Sequence, residues 1–211
     1  SRLDRFPIPT RLCIGNHDDR ALFLDVFPEF DDGEGHAQGF EDTPGGRCLF
    51  LDTWAPETHA GHYCDTRQGW LERQLSGHDG PFFLFLHHNP IPSYLSTMDK
   101  IRLLDDVPFR DIVRRHKANI RHVFFGHCHL PMSGSIHGVP VTSLRSTNHQ
   151  LFPDFADRKF ILNADLPPAY GVTFVADDHV TFHMVEFGYD GDFHDGGSPD
   201  YADWDRETTV R

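Results

Sequence analysis

Two unbroken apolar runs, PFFLFLHHNP at 81–90 and RHVFFGHCH at 121–129, each stop abruptly in histidines. Between them DDVPFRDIVRRHK (105–117) has helical spacing and admits Pro108 in its first turn. Strands of this kind, alternating with helices, constrain the chain more than any other feature, and the alternation recurs upstream. TRLCI (10–14) reads as a buried strand and DDRALFLDVF (18–27) as a short helix. Residues 28–46 read as a loop and RCLFLD (47–52) as a second strand. DTRQGWLERQL (65–75) reads as an amphipathic helix that buries Trp70, Leu71 and Leu75, with Asp65 as its cap. Downstream, VPVTSLRS (139–146), AYGVTFVAD (169–177) and HVTFHMVEF (179–187) read as β, the last two as a hairpin across Asp177-Asp178. Helices and strands interleaved, then a β-rich end, argue an α/β fold with its strands stacked in sheets.

The length, 211 residues, suits one domain, assigned here to 1–187, with 188–211 a polar, acidic, Gly-rich tail expected to be poorly ordered. No run approaches the roughly 20 apolar residues of a membrane span. A net charge of −13, from 19 basic and 32 acidic residues, argues against a nucleic-acid polymer as partner. It admits a small anionic substrate only where a local positive centre, such as metal ions, overrides the field. The four cysteines show no paired short spacing, so they read as reduced thiols of a cytoplasmic protein.

Sixteen histidines are unusual, and five stand where strands should end: His17, His87, His88, His127 and His129. His36, His59, His62 and His78 fall in Gly- and Pro-punctuated segments and read as solvated loop residues. In open α/β sheets, sites gather beyond the carboxyl ends of strands. Three such ends here, CIGNHD, FLFLHHN and VFFGHCH, carry metal-competent groups. Singly, each has a plainer explanation. A histidine at a strand end can be a hydrogen-bonded boundary residue, Gly-Asn-His-Asp an Asx-type turn, and His127 and His129 neighbours on one face of an extended segment. Together they place several imidazoles and an amide at one crevice, a mixed nitrogen and oxygen donor set suited to Zn, Mn, Fe or Co.

The order G-N-H-D (15–18), H-H-N-P (87–90), G-H-C-H (126–129) resembles the last three signature blocks of the calcineurin-like metallophosphoesterases. Met98-Asp99, G-V-P-V (138–141) and S-T-N-H-Q (146–150) are similar to the class III cyclic-nucleotide phosphodiesterase and glycerophosphodiesterase branch. The resemblance implies a β-sandwich flanked by helices (αββα) and two divalent metal ions. It implies Asn16, His87 and His127 as ligands of one ion, and His129 as ligand of the other. His17 becomes the catalytic residue beside the phosphate, and His88 supports the ligands from behind. Asp18 orients His17 or caps the helix, and His149 approaches the substrate or caps the strand 139–146. The activity implied is hydrolysis of small phosphodiesters, cyclic nucleotides or glycerophosphodiesters, by hydroxide generated at the metals. A homodimer is also implied. Gly15 and Gly126 are expected to let the backbone turn tightly beside the cluster.

The family's first two blocks, D-x-H and G-D, are absent, which leaves His129 alone on the second ion and suggests that only one ion is retained. An N-terminally truncated domain is the favoured account, because the remaining ligand types are intact. A degenerate, non-catalytic metal-binding or scaffold domain is the alternative. Gly191-Asp192-Phe193-His194 spells both blocks at once, but one Asp cannot fill two places. Truncation carries the expectation that apolar edges are exposed and the isolated chain is marginal.

Overall fold

The computed structural model describes residues 5, 7–157 and 159–194. Its centre is a six-stranded mixed sheet in the order β1-β2-β3-β4-β6-β5. Strands β1 (Gly39–Thr43) and β2 (Gly46–Leu51) form a hairpin, and β3 (Phe82–Leu86), β4 (Ile120–Phe125) and β6 (Val139–Ser143) run parallel to β2. β5 (Met132–Ile136) closes the far edge antiparallel to β6. The parallel crossovers are made by α2 (Asp65–Ser76) and α3 (Asp106–His116), which follow α1 (Arg20–Val26).

Alternate residues of the parallel strands divide the two faces of the sheet. Leu49, Leu51, Leu84, Leu86, Val123 and Phe125 share one buried cluster with Trp70, Leu71 and Leu75 of α2 and Phe109, Ile112 and Val113 of α3. On the other face Phe50, Phe85 and Phe124 stack ring on ring, 5.1 and 5.0 Å apart. Two minor strands, β7 (Gln150–Leu151) and β8 (Asn163–Ala164), pair with each other. The hairpin of β9 (Ala169–Val175) and β10 (Val180–Glu186) supplies a second β layer, bringing Phe182 within 5.7 Å of Phe124.

Several local expectations change. Residues 10–14 join no sheet. Ile14 is fully buried and the Cys13 thiol lies against the carbonyls of Leu51 and Phe85, but the backbone pairs with no strand. The first helix starts at Arg20 and is capped by Asp19, whose carboxylate accepts from the Leu22 amide at 2.9 Å. Cys64, not Asp65, occupies the cap position of α2. Most of the tail, 195–211, lies outside the described residues; 188–194 carries no regular structure. Among the described residues no helix is long and apolar enough to cross a membrane.

Register sets up the site. Leu51, Leu86 and Phe125 align across β2, β3 and β4, so the next residues of three parallel strands emerge side by side at one edge. These are Asp52-Thr53, His87-His88 and Gly126-His127.

Candidate metal centre

At that edge three donor atoms converge. Asn16 Oδ1 lies 2.8 Å from His87 Nε2 and 3.2 Å from His127 Nδ1, and the two ring nitrogens are 3.2 Å apart. Ligands each about 2.1 Å from one ion, at angles between 90° and tetrahedral, stand roughly 3.0–3.4 Å from one another. The triangle therefore has the dimensions of a coordination face. It is poorly satisfied by protons alone, because protons on both ring nitrogens would set two N–H groups against each other, and a single proton must be shared between two acceptors. His127 Nε2 is buried without a hydrogen-bond partner of ordinary geometry, although the Ile101 carbonyl is near enough to favour a proton on the ring. A proton there leaves Nδ1 bare toward the triangle.

Burial is the chief reason why His87, His88 and His127 are each pushed down to about 3, with neighbouring imidazoles adding repulsion. They are neutral near pH 7, which leaves His87 and His127 with lone pairs able to bind a cation.

Distance alone would group His87, His88 and His127, whose ring nitrogens lie within 4.8 Å of one another. Hydrogen bonding removes His88. Its Nε2 faces the His59 carbonyl at 3.2 Å and must donate, so Nδ1 accepts from the Thr53 hydroxyl at 2.8 Å. Both nitrogens are used, and His88 stands behind the triangle.

His127 and His129 adopt left-handed backbone angles, φ 63° and 48°, which non-glycine residues rarely take. They therefore do not share the face of an extended segment; a kinked turn aims both rings into the cleft. Gly126 has an ordinary φ, and an added Cβ would meet nothing closer than 3.7 Å, so the strain sits on the histidines and not on the glycine. Gly15 is different: a Cβ there would come within 3.0 Å of the His87 ring. His129 donates from Nδ1 to the His149 carbonyl at 2.9 Å, which leaves Nε2 with a lone pair.

The cleft, about 300 Å³, is lined by Asn16, His17, His59, His87, His127, His129 and His149. Met98, Ile101, Leu151 and Ile161 add an apolar wall, and Asn163 completes the lining. Met98 is buried in this wall, while Asp99 anchors the loop by accepting from Ser93 and Tyr94. No carboxylate, lysine or arginine is among the described residues that line the cleft, and Asp192 and His194 are not among them either. His17 is exposed at the rim, its ring 5.2 Å from that of His59. Asp18 accepts from the Gly15 amide at 2.8 Å, closing the turn that presents Asn16; it caps no helix.

His59 was missed from sequence. It is exposed, as a loop histidine should be, yet Asn16 Nδ2 donates to its Nδ1 at 2.9 Å. The signal available was weak: a Thr-His-Ala-Gly-His run soon after a strand that ends in Asp52-Thr53.

A profile of the calcineurin-like phosphoesterase family matches residues 1–131. The chain is 35% identical over 189 residues to a probable cyclic nucleotide phosphodiesterase of Rhodopseudomonas palustris, covering 87% of this chain and 68% of that protein. It is 30% identical over 148 residues to a glycerophosphodiester phosphodiesterase of Enterobacter lignolyticus, and 31% over 140 to a cAMP/cGMP dual specificity phosphodiesterase of Mycobacterium tuberculosis. It spans 53% and 42% of those two proteins. The family implies divalent metal ions, and the convergent imidazoles fit that chemistry. With its ordered strand-end blocks, its mixed sheet and these matches, the chain belongs to the calcineurin-like phosphoesterase family.

Proposed function

We propose that the protein is a metal-dependent phosphodiesterase acting on small diesters, with cyclic nucleotides the best-fitting class. The observation that carries this reading is the triangle of Asn16 Oδ1, His87 Nε2 and His127 Nδ1. These three atoms would hold one divalent ion, and His129 Nε2 would be offered to a second. Neutral nitrogen and amide oxygen donors suit Mn, Fe, Zn or Co. Ions bound there supply Lewis-acid polarisation of the phosphoryl group and acidify water. The amide oxygen of Asn16 adds no charge, so less of the positive field is cancelled than by a carboxylate. His17, exposed on the rim, would act beside the departing oxygen, easing its departure. His149 borders the same opening and faces the alcohol portion of the substrate.

The lining favours a particular diester. With no lysine or arginine among the described residues that line it, the cleft offers no anchor for a second phosphate there, and the chain's net charge of −13 opposes a polyanion. The wall of Met98, Ile101, Leu151 and Ile161 suits a flat, weakly polar group such as a nucleobase better than glycerol. Four unpaired cysteines fit a reducing, cytoplasmic compartment. The relatives named above as cyclic nucleotide phosphodiesterases support the same substrate class.

The test is Mn²⁺ uptake by the purified protein, measured beside hydrolysis of cyclic AMP and of bis(p-nitrophenyl) phosphate. We expect uptake and Mn²⁺-dependent hydrolysis of both, and loss of both properties in His87→Ala. Metal uptake that His87→Ala leaves unchanged would refute the assignment of the triangle. Uptake without hydrolysis of either diester would refute the reaction.

A further inference from the structure

We infer that His59 is a positioning residue that decides which end of the Asn16 amide faces the metal. This rests on the metal reading of the triangle proposed above. A side-chain amide is nearly symmetric in shape, so packing hardly distinguishes its oxygen from its nitrogen. A carboxylate at this place would present oxygen either way and need no help. An amide turned over would point two N–H donors at the ring nitrogens of His87 and His127 and repel a cation. The choice must come from hydrogen bonding on the far side.

The His59 ring supplies it. Asn16 Nδ2 donates to His59 Nδ1 at 2.9 Å, and the same amide presents Oδ1 to His87 and His127. In the tautomer with its proton on Nε2, the ring offers Nδ1 as an acceptor, and that is compatible with only one of the two amide orientations.

His59 is exposed, but its backbone is not free to wander. Its carbonyl accepts from His88 Nε2 at 3.2 Å, and His88 is fully buried and bound in turn to Thr53. The next residue, Ala60, is buried and its amide donates to Thr58 Oγ1 at 3.0 Å. Gly61 then donates to the Arg102 carbonyl at 3.0 Å and accepts from Leu104 at 3.1 Å. At the start of the loop, Asp52 is fixed by Arg20 and Arg67. Residues 52–61 thus form a strap tied at both ends. Its backbone holds His88 behind the triangle, and its one outward ring holds the amide in front.

The test is a Co²⁺ titration of the protein, read in the visible absorption of the bound ion, for the parent, His59→Ala and His59→Asn. Asparagine places its oxygen near the position of Nδ1 and restores the acceptor without the ring. Loss of a partner that orients a ligand weakens metal binding about 10- to 100-fold. We expect His59→Ala to show that loss with an unchanged metal-free melting temperature, and His59→Asn to recover to within about threefold of the parent. Parental affinity in His59→Ala overturns the inference. So does a His59→Asn variant as weak as His59→Ala, because the imidazole itself would then be required. If the parent takes up no Co²⁺, the metal reading of the triangle falls, and this inference falls with it.

Discussion

Gly61→Ala is the sharpest single test of how the site is packed. A Cβ at residue 61 would stand 2.5 Å from His88 Cγ and 2.7 Å from its Cβ. Carbon atoms pack at about 3.5–4.0 Å, so roughly 1 Å must be found. Neither side yields easily. His88 is fully buried, and both its ring nitrogens are hydrogen-bonded; Gly61 is bonded through its own N–H and C=O to Arg102 and Leu104. The φ of Gly61 is ordinary, so the cost is steric and not conformational. Overpacking of this kind costs about 1–3 kcal/mol, and loosening one hydrogen bond adds about 1 kcal/mol. We expect about 2–4 kcal/mol in a urea melt followed by circular dichroism, with the slope unchanged, and weaker metal uptake because His88 supports the triangle. Gly39→Ala is the control, since nothing lies within 4 Å of its added Cβ and its φ is not positive. A Gly61→Ala variant within about 0.5 kcal/mol of the parent, with parental metal uptake, would show that the loop is slack and the reasoning wrong.

Two further outcomes follow from charge and burial. Asp52 is fully buried between Arg20 and Arg67, and its carboxylate also accepts from the amides of Ala37 and Trp54. Asp52→Ala should cost about 3–5 kcal/mol in the same melt, by stranding the guanidinium of buried Arg67; a loss below about 1 kcal/mol would refute this. Metal-free stability should fall with acid. His122 is lowered to about 4 by burial, and His87, His88 and His127 to about 3, against 6.5 for the free side chain. Below pH about 6.5 the unfolded chain takes up protons that the folded chain refuses. Stability is therefore full above pH about 6.5 and declines as pH falls toward 4 and then 3, each histidine adding up to about 1.4 kcal/mol per pH unit. Urea midpoints in chelator between pH 5 and 8 measure this, and a flat profile would count against it.

The parts legible in the sequence are those whose physics is local. β2, β3 and β4 carry apolar stretches (CLFL, FFLFL and VFF) because both faces of a central strand are covered, and β3 and β4 stop just before the histidines that line the cleft. Edge strands leave no such mark. β1 (GFEDT) and β5 (MSGSI) are polar or small-residue segments, held by a neighbour's backbone and not by their own side chains, and both escaped notice. The run 10–14 misled in the opposite sense: it has the composition of a strand, but its buried side chain and thiol rest against the sheet without pairing. In the site, histidines at strand ends could be read directly. The exclusion of His88, the recruitment of His59 and the strain at His127 and His129 could not, because each depends on where an unpatterned loop carries a hydrogen-bonding group.

These features share one energetic logic. Two neighbouring parallel strands, β3 and β4, deliver imidazoles to one desolvated edge, where burial keeps them neutral and leaves two nitrogens and the Asn16 oxygen facing one another. Two left-handed histidines add about 1–3 kcal/mol each of backbone strain. The arrangement is costly for the empty fold, and the surrounding structure bears that cost: the buried Asp52 network ties down the strap, and the core of α2 and α3 ties down the strands. A cation bound there, as proposed, would turn the repelling lone pairs into bonds and return in stability what preorganisation costs, by about RT ln(1 + [M]/Kd). Loss of the exposed His59 ring must therefore appear first as lost metal affinity. Loss of a buried anchor, in the strap at Asp52 or in the sheet, must appear first as lost folding. That ordering separates residues that serve the ion from residues that serve the fold, even though the two sets touch at Thr53 and His88.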